Sequence, residues 1–147
     1  MKMTPEQFDE SRKRASPNSN LPGDCLWAFG VGGGICLGGE VLRQIYLGCG
    51  FAPQTAGTLV SCTLVLLSAA ATALGWYYKL AARAGAGTLV PITGFANSVV
   101  SPAIEFKVEG LITGVGARMF IIAGPVIVYG VTASVVYGLI YWITARI

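Results

Sequence analysis

Long apolar runs alternate with short polar breaks along the chain, and the lengths of the runs predict membrane helices. Two runs, over 25–47 and 56–78, each reach the roughly 20 residues that an α-helix needs to cross a hydrocarbon core. A third run over 86–106 is interrupted, and a last apolar run covers 125–145. The pattern predicts an all-α integral membrane protein, built as a small helical bundle of about four membrane segments.

A polar arm over 1–23 precedes the membrane domain, which extends over 24–147. The arm contains a basic run at 12–14 and lacks the apolar core of a cleavable secretory signal, so we expect it to be retained. Aromatic residues near basic ones are typical of a cytoplasmic membrane boundary. The aromatic and basic residues at the two predicted boundaries are Trp27, Phe29, Trp76, Tyr77, Tyr78, Lys79 and Arg83. We therefore expect the amino terminus to be cytoplasmic.

The composition agrees with a membrane protein, since 54% of the residues are hydrophobic, 12% are charged and none is histidine. The net charge of +3 is spread thinly and forms no basic stripe, so a lipid bilayer rather than nucleic acid is the expected environment. No nucleophile and base occur at a recognisable spacing, and the sequence predicts neither catalytic residues nor an enzyme. The four cysteines form no CxxC pair, so neither a metal site nor a cofactor is expected.

Two opposite charges, Glu40 and Arg43, interrupt the first apolar run. At about 1.5 Å per residue, Arg43 reaches the far headgroups, whereas Glu40 lies about one turn deeper. Their i,i+3 spacing allows them to pair on one helix face. Two interpretations stay open: a paired charge at the membrane edge, or a pair that lines a polar path.

Small residues recur every four positions on the first and last predicted helices. In lipid, such rows let helix backbones approach closely, which allows helices to associate without a hydrophobic driving force. We expect the rows to pack against helices of this chain and of other subunits, so an oligomer is implied. The rows consist of Gly30, Gly34, Gly38, Gly130, Ser134 and Gly138.

The interrupted segment 86–106 is the most informative part of the chain. Its residues Pro91, Gly94, Asn97 and Pro102 disfavour a continuous lipid-exposed helix, yet the segment is too apolar to lie in water. We expect it to be broken or re-entrant at membrane depth, where it is covered by protein or touches water. The positive-inside bias favours the version that crosses the membrane completely.

Prolines indicate where the remaining helices begin or bend. Ser101 followed by Pro102 has the form of an N-cap and a first helical residue, which predicts a half-helix that continues over 108–123. Pro125 fits either a kink or the first turn of a fresh helix. We expect a Pro-kinked last helix.

Polar and charged residues in and after the interrupted segment are candidates for a transport pathway. Glu105 and Glu109 are four positions apart and would share a helix face. Arg118 follows Gly110 and Gly114 in steps of four, and it is either an anion contact or a salt-bridge partner. The candidates are Thr93, Gly94, Asn97, Ser98, Ser101, Glu105, Glu109 and Arg118. For the asparagine, a structural role through hydrogen bonds to backbone freed near the two prolines stays open.

The stretch GAGTLVPITGFANSVVSPAIEFKVEGLITGVGARMFIIAGPVIVYGV, residues 85–131, resembles the stage V sporulation protein AC family. These proteins are membrane subunits of the SpoVA system of endospore-forming bacteria. The resemblance implies a channel or conduit for dipicolinic acid, as its calcium chelate, across the spore inner membrane, inward during sporulation and outward during germination. It also implies other membrane and soluble SpoVA subunits as partners in a hetero-oligomer. The segment TGFANS, residues 93–98, is the part that it marks as pathway.

A different class of function stays open beside this one. The chain could be a non-conducting structural membrane subunit that scaffolds a soluble partner. Energy-coupled pumping by the chain itself is disfavoured, because no P-loop occurs in the sequence.

Overall fold

The computed structural model describes Phe8 and residues 20–146, and the described part is helical without strands. Three segments, Leu21–Gly48, Pro53–Ala73 and Leu111–Thr144, are long and apolar enough to cross a membrane. The predicted all-α membrane protein is confirmed at this level. The α-helices are α1 (Leu21–Gly48), α2 (Pro53–Ala73), α3 (Trp76–Ala84), α4 (Ala86–Leu89), α5 (Ile92–Glu105) and α6 (Phe120–Thr144), with a 3-10 turn at Lys107–Glu109 and a π-helical turn at Leu111–Gly116.

Helices α1 and α2 form an antiparallel hairpin. The connection turns at Gly50, whose φ of +89° lies in the left-handed region that glycine adopts without strain. Across the hairpin, the hydroxyls of Tyr46 and Thr63 are 2.8 Å apart. Gly39 is buried against Leu64, since the position of a Cβ there would lie 3.4 Å from a leucine methyl group.

Helix α2 ends earlier than the sequence predicted. The expected span over 56–78 included Tyr77, whereas α2 stops at Ala73 and Gly75 takes a φ of +71°. The chain changes direction at this glycine and starts a separate helix, α3. Lys79 and Arg83 lie on α3, and Arg83 shares a cavity of about 390 Å³ with Asp24 of α1. The basic end of α3 therefore lies at the same end of the bundle as the start of α1.

Helix α4 runs alongside α1 toward the middle of the bundle. Gly87 lies against Ala28, and the position of a Cβ on Gly32 would be 3.1 Å from the Gly87 carbonyl oxygen. Farther along, Pro91 shares an apolar groove with Cys36. Contacts thus advance along both helices together, so α4 enters the bundle in the direction of α1.

Helix α5 leaves the bundle in the direction of α2. Ser68 of α2 bonds to Thr93, and four residues later on both helices Thr72 bonds to Asn97. Two contacts that advance by the same step on both helices define a parallel pair, because an antiparallel pair would reverse one of them. Since α4 goes in and α5 returns, residues 86–105 form a re-entrant hairpin.

The expected complete crossing of segment 86–106 is therefore wrong. The segment is broken as expected, and the break lies at Val90 and Pro91, where Pro91 is extended with φ −64° and ψ 161°. Pro91 lies beside Cys36 of α1, about 22 Å from Leu21 at 1.5 Å per residue, which places the tip of the hairpin near the middle of the bundle.

The predicted half-helix at Ser101 is also wrong. Ser101 and Pro102 lie inside α5, which continues to Glu105. After it, Gly110 takes a φ of +98° and separates the 3-10 turn from the π-helical turn, so no single helix covers 108–123. Glu105 and Glu109 consequently do not share a helix face.

Helix α6 continues through Pro125, so no fresh helix begins there. Near its start, Ala123 is fully buried. From Pro125 to Arg146, every residue is exposed. The helix thus joins the bundle at its first turns, and the rest of its apolar length lies outside it.

The predicted glycine rows face open space within this single chain. Within residues 20–146, no heavy atom outside the local helix backbone lies within 4 Å of a Cβ placed on Gly30, Gly34, Gly38, Gly130 or Gly138. The close helix approach instead uses Gly32 and Gly87. Packing of the predicted rows against other subunits stays a prediction.

The contact between α1 and α4 can be tested by adding one methyl group. We expect Gly87→Ala to destabilise the protein by about 1–3 kcal/mol, because the new Cβ overlaps the Ala28 carbonyl and the backbones must separate. Gly30→Ala, in open space on the same helix pair, serves as the matched control. Thermal unfolding in detergent measures both variants, and an equal loss from the two would contradict the described packing.

The re-entrant topology can be tested by cysteine labelling in sealed vesicles. Cys49 lies at the α1–α2 turn and is kept as an internal reference, while the other cysteines are replaced. Lys79→Cys and Val108→Cys are then introduced one at a time; both positions are exposed. We expect an impermeant maleimide to reach both from the same side, opposite to Cys49. Labelling of positions 79 and 108 from different sides would refute the hairpin.

Candidate functional site

Tyr77 ties α3 to both arms of the re-entrant hairpin, close to its tip. Its side chain is 5% exposed, whereas the adjacent Trp76 and Tyr78 are 66% and 78% exposed. The Tyr77 hydroxyl donates a 2.7 Å hydrogen bond to the Thr88 carbonyl and lies 3.3 Å from the Thr93 hydroxyl. Because α4 has four residues, the carbonyls of its last turn lack helical donors. Tyr77 supplies one of the missing donors.

Two hydroxyl residues of α2 hold the other arm of the hairpin. Ser68, buried in the bundle, donates a 2.6 Å bond to the Thr93 carbonyl. Thr72 Oγ1 lies 2.8 Å from the Ser68 carbonyl and 2.9 Å from Asn97 Oδ1. Its single hydrogen can serve one of these acceptors at a time. Asn97 is therefore partnered by a side chain of α2, rather than by backbone near the prolines as considered above.

Gly94 allows the two arms to approach closely. A Cβ at this position would overlap the carbonyl oxygens of Thr88 and Leu89, so a side chain would push α5 away from α4. The Thr88 hydroxyl in turn donates to the Gly85 carbonyl at 3.0 Å. Near the tip of the hairpin, backbone and hydroxyl groups of the two arms are thus closely packed.

A cavity of about 470 Å³ lies between the hairpin, α3 and the start of α6. Its volume falls in the range of about 300–1,000 Å³ that is typical of small-molecule sites. The residues that line it are Tyr77, Ala81, Gly85, Thr88, Leu89, Gly94, Asn97, Ser98, Ser101, Pro102, Glu105 and Ile122.

One face of α5 forms the polar wall of the cavity. Gly94, Asn97, Ser98, Ser101 and Glu105 recur at steps of three or four residues, which places them on the same side of a helix. Gly94 is buried, whereas Ser101 and Glu105 are exposed. The cavity therefore has its inner end near the tip of the hairpin and its mouth at the end of α5.

Pro102 adds a backbone acceptor to this wall. Proline has no N–H, so the carbonyl four residues earlier, that of Ser98, receives no helical hydrogen bond. Both residues line the cavity. The Ser98 hydroxyl does not fill the gap, since it donates to the Phe95 carbonyl at 2.7 Å.

Most of the predicted pathway residues meet at the cavity, and the others lie near or outside it. Thr93 is buried behind the wall, between Ser68 and Tyr77. Glu109 and Arg118 do not line the cavity. Arg118 is exposed, and its guanidinium carbon lies 4.7 Å from the centre of the Phe106 ring.

Arg118 does not share a helix stripe with Gly110 and Gly114, although the steps of four predict one. Gly114 lies against the Phe106 carbonyl and Glu109, and it has no room for a side chain. The π-helical turn changes the spacing of residues along this segment, so a step of four no longer keeps Gly114 and Arg118 on one stripe. Arg118 makes a cation–π contact with Phe106, and its role as an anion contact stays a prediction.

The charged pair on α1 lies away from the cavity. Arg43 donates two 2.8 Å hydrogen bonds to Glu40, and Gln44 donates one of 2.7 Å to the same carboxylate. Neither Glu40 nor Arg43 lines the cavity. The structure thus shows a bidentate pair outside this cavity, and its place at the membrane edge stays a prediction.

Sequence reasoning missed Ser68, Thr72 and Tyr77 as parts of the site. Tyr77 was interpreted as a boundary aromatic because it follows an apolar run and precedes Lys79. Two signals were available: the hydroxyl pair at an i,i+4 spacing inside the apolar α2, and the glycine at position 75 that separates this helix from Tyr77.

The fold and the cavity define a helical membrane protein in which a re-entrant hairpin forms the polar wall of a cavity. The chain belongs to the SpoVAC/SpoVAEB sporulation membrane protein family, whose family model matches residues 24–140. It is 43% identical over 136 residues to the stage V sporulation protein AC of Bacillus subtilis (strain 168), which covers 92% of this chain and 91% of that protein. No solved structure matches the chain. The resemblance seen in the sequence is confirmed.

Two adjacent tyrosines provide a matched test of the hydrogen bond between Tyr77 and the hairpin. We expect Tyr77→Phe to lower the free energy of unfolding by about 1–3 kcal/mol, because the Thr88 carbonyl stays buried without its donor. Tyr78→Phe, at an exposed position, should have little effect. Thermal unfolding of the two purified variants in detergent gives the comparison. Equal stability of the two would show that the Tyr77 bond does not hold the hairpin.

Proposed function

We propose that this chain is a conduit subunit that passes dipicolinic acid, as its calcium chelate, across the spore inner membrane. Movement is inward during sporulation and outward during germination. The observation that carries the proposal is the cavity behind the re-entrant hairpin, which enters the bundle and has polar side chains along one wall. Membership of a sporulation membrane protein family supports the cellular setting.

The cavity has the chemistry that a hydrated solute needs inside a membrane. A conduit must replace part of the hydration shell of its solute with protein groups. Hydroxyl, amide, carbonyl and carboxylate groups follow one face of α5 from Asn97 to Glu105. Irregular backbone at membrane depth occurs where it is covered by protein or lines a wet space. On the two sides of the break, Thr88 and Gly94 are buried in the bundle and line this cavity.

A single copy forms a pocket rather than a complete passage. The inner end of the cavity is closed by the buried residues Tyr77, Thr88 and Gly94. We propose that other membrane and soluble SpoVA subunits complete the path in a hetero-oligomer. The open glycine row of α1 and the exposed length of α6 offer surfaces for such helices.

The amino terminus is proposed to be cytoplasmic. Lys79 and Arg83 lie on α3, at the end of the bundle where α1 begins. Basic residues at one membrane face favour the cytoplasmic side. In this orientation, the mouth of the cavity opens toward the cytoplasm of the spore, because α5 runs parallel to α2.

The alternative, a non-conducting structural subunit that scaffolds a soluble partner, accounts equally well for the hydrogen bonds that hold the hairpin. Ser68, Thr72 and Tyr77, on the helices that pack against the hairpin, form hydrogen bonds with its backbone or side chains. A scaffold needs such bonds as much as a conduit does. The two functions differ in whether the empty part of the cavity is used.

Filling the cavity mouth distinguishes the two functions. Ser101→Trp places a large side chain on the lining face, whereas Ile104→Trp places it at an exposed position of the same helix outside the lining. Each variant replaces the stage V sporulation protein AC of Bacillus subtilis in sporulating cells. We expect Ser101→Trp to lower the dipicolinate content of the spores about tenfold, because the ring occludes the path. Ile104→Trp should preserve it.

Membrane abundance of both variants is measured in the same spores. The conduit is supported when Ser101→Trp is as abundant as the Ile104→Trp control yet accumulates less dipicolinate. Normal dipicolinate content in Ser101→Trp spores at normal abundance would instead favour the scaffold.

A further inference from the structure

The charge distribution around the cavity does not suit a free anion. Among the described residues, Glu105 is the single charged side chain in the lining. The nearby cations lie elsewhere: Lys107 is exposed on the 3-10 turn, and Arg118 is stacked on Phe106. Within residues 20–146, the one salt bridge joins Glu40 and Arg43. Lys107 and Arg118 therefore form no salt bridge with Glu105.

The backbone adds to the negative potential at the mouth. Glu105 is the last residue of α5, where the free carbonyls of the final turn form the negative end of the helix dipole. A carboxylate at this end is less favourable for the helix than a lysine or arginine would be. Helix stability therefore does not account for an acidic residue at this position.

The groups near the mouth are oxygen acceptors on one face of α5. The Ser98 carbonyl lacks its helical donor because of Pro102, and Ser101 and Glu105 follow at steps of three and four residues. Carbonyl, hydroxyl and carboxylate oxygens are the ligands that hard divalent cations prefer. The wall thus offers contacts for the metal of a chelate and few for a carboxylate.

We infer that Glu105 sets the charge selectivity of the conduit: the cavity admits dipicolinate when a bound divalent cation neutralises it and rejects the free dianion. The inference rests on the proposed function. Dipicolinate carries two negative charges, and Glu105 repels them at short range. A one-to-one calcium chelate is neutral, and its metal can exchange hydration water for the oxygens of the wall. Glu105 is a specificity-determining residue in this scheme.

Efflux from liposomes tests the inference with the full-length chain, reconstituted together with the other SpoVA subunits that the proposed path requires. One set of liposomes is loaded with sodium dipicolinate and a calcium chelator, and a second set with equimolar calcium dipicolinate. Released dipicolinate is measured outside by the luminescence of its terbium complex. The variants are Glu105→Gln and, as matched control, Glu109→Gln, which changes an exposed carboxylate that does not line the cavity.

We expect the wild-type protein to release the calcium chelate faster than the free dianion. Glu105→Gln should raise the efflux of free dipicolinate relative to the chelate roughly tenfold, as expected for the loss of one charge a few ångströms from a dianion in a wet cavity. Its release of the chelate shows that the variant is folded and inserted. Glu109→Gln should keep the wild-type ratio.

Each other result has a definite meaning. An unchanged ratio in Glu105→Gln, with efflux present, overturns the inference and leaves the proposed function intact. An equal shift in Glu109→Gln also overturns it, since the effect would then come from general surface charge. No efflux of either species above that of protein-free liposomes would overturn the proposed function and the inference with it.

Discussion

The hydrogen bond from Tyr77 to the Thr88 carbonyl addresses the main difficulty of this fold. A chain that turns back inside a membrane exposes backbone groups that lipid cannot satisfy, and each such group is costly. The bundle supplies donors from side chains: Tyr77 of α3 reaches the first arm of the hairpin, and Ser68 of α2 reaches the second. The position of the hairpin, and with it the cavity, depends on these hydroxyl groups being in place.

The separation of basic side chains from the cavity follows from the same architecture. The arginine near the end of α5 lies on Phe106 at the surface, where the guanidinium stays solvated while its flat face covers an aromatic ring. Acceptor oxygens remain inside, because Pro102 removes a donor from the wall of α5. A proline that would weaken a lipid-exposed helix here provides a polar group where the bundle leaves room for one.

Sequence reasoning predicted the spans and the break, and it failed where distant residues decide the outcome. Apolar run length locates α1 and α2, and Pro91 lies at the break as expected. The direction of α5 could not be predicted, because it depends on which residues of α2 face Thr93 and Asn97, and charge bias alone favoured a crossing. The sequence at Ser101 and Pro102 predicts a helix start, whereas Pro102 lies inside α5. The two cases have the same local sequence pattern, so the sequence does not distinguish them. Arg118 was misplaced because the π-helical turn alters the helical repeat.

Helix α6 is attached to the bundle at one end. Ile122 belongs to the wall of the cavity and Ala123 is fully buried, whereas the residues from Pro125 to Arg146 are all exposed. Because α6 contacts the bundle near its start, a tilt of its exposed part also moves the residues at that start. A subunit that binds the exposed part of this 25-residue helix and tilts it would displace Ile122. The displacement would change the shape of the cavity where a solute would bind.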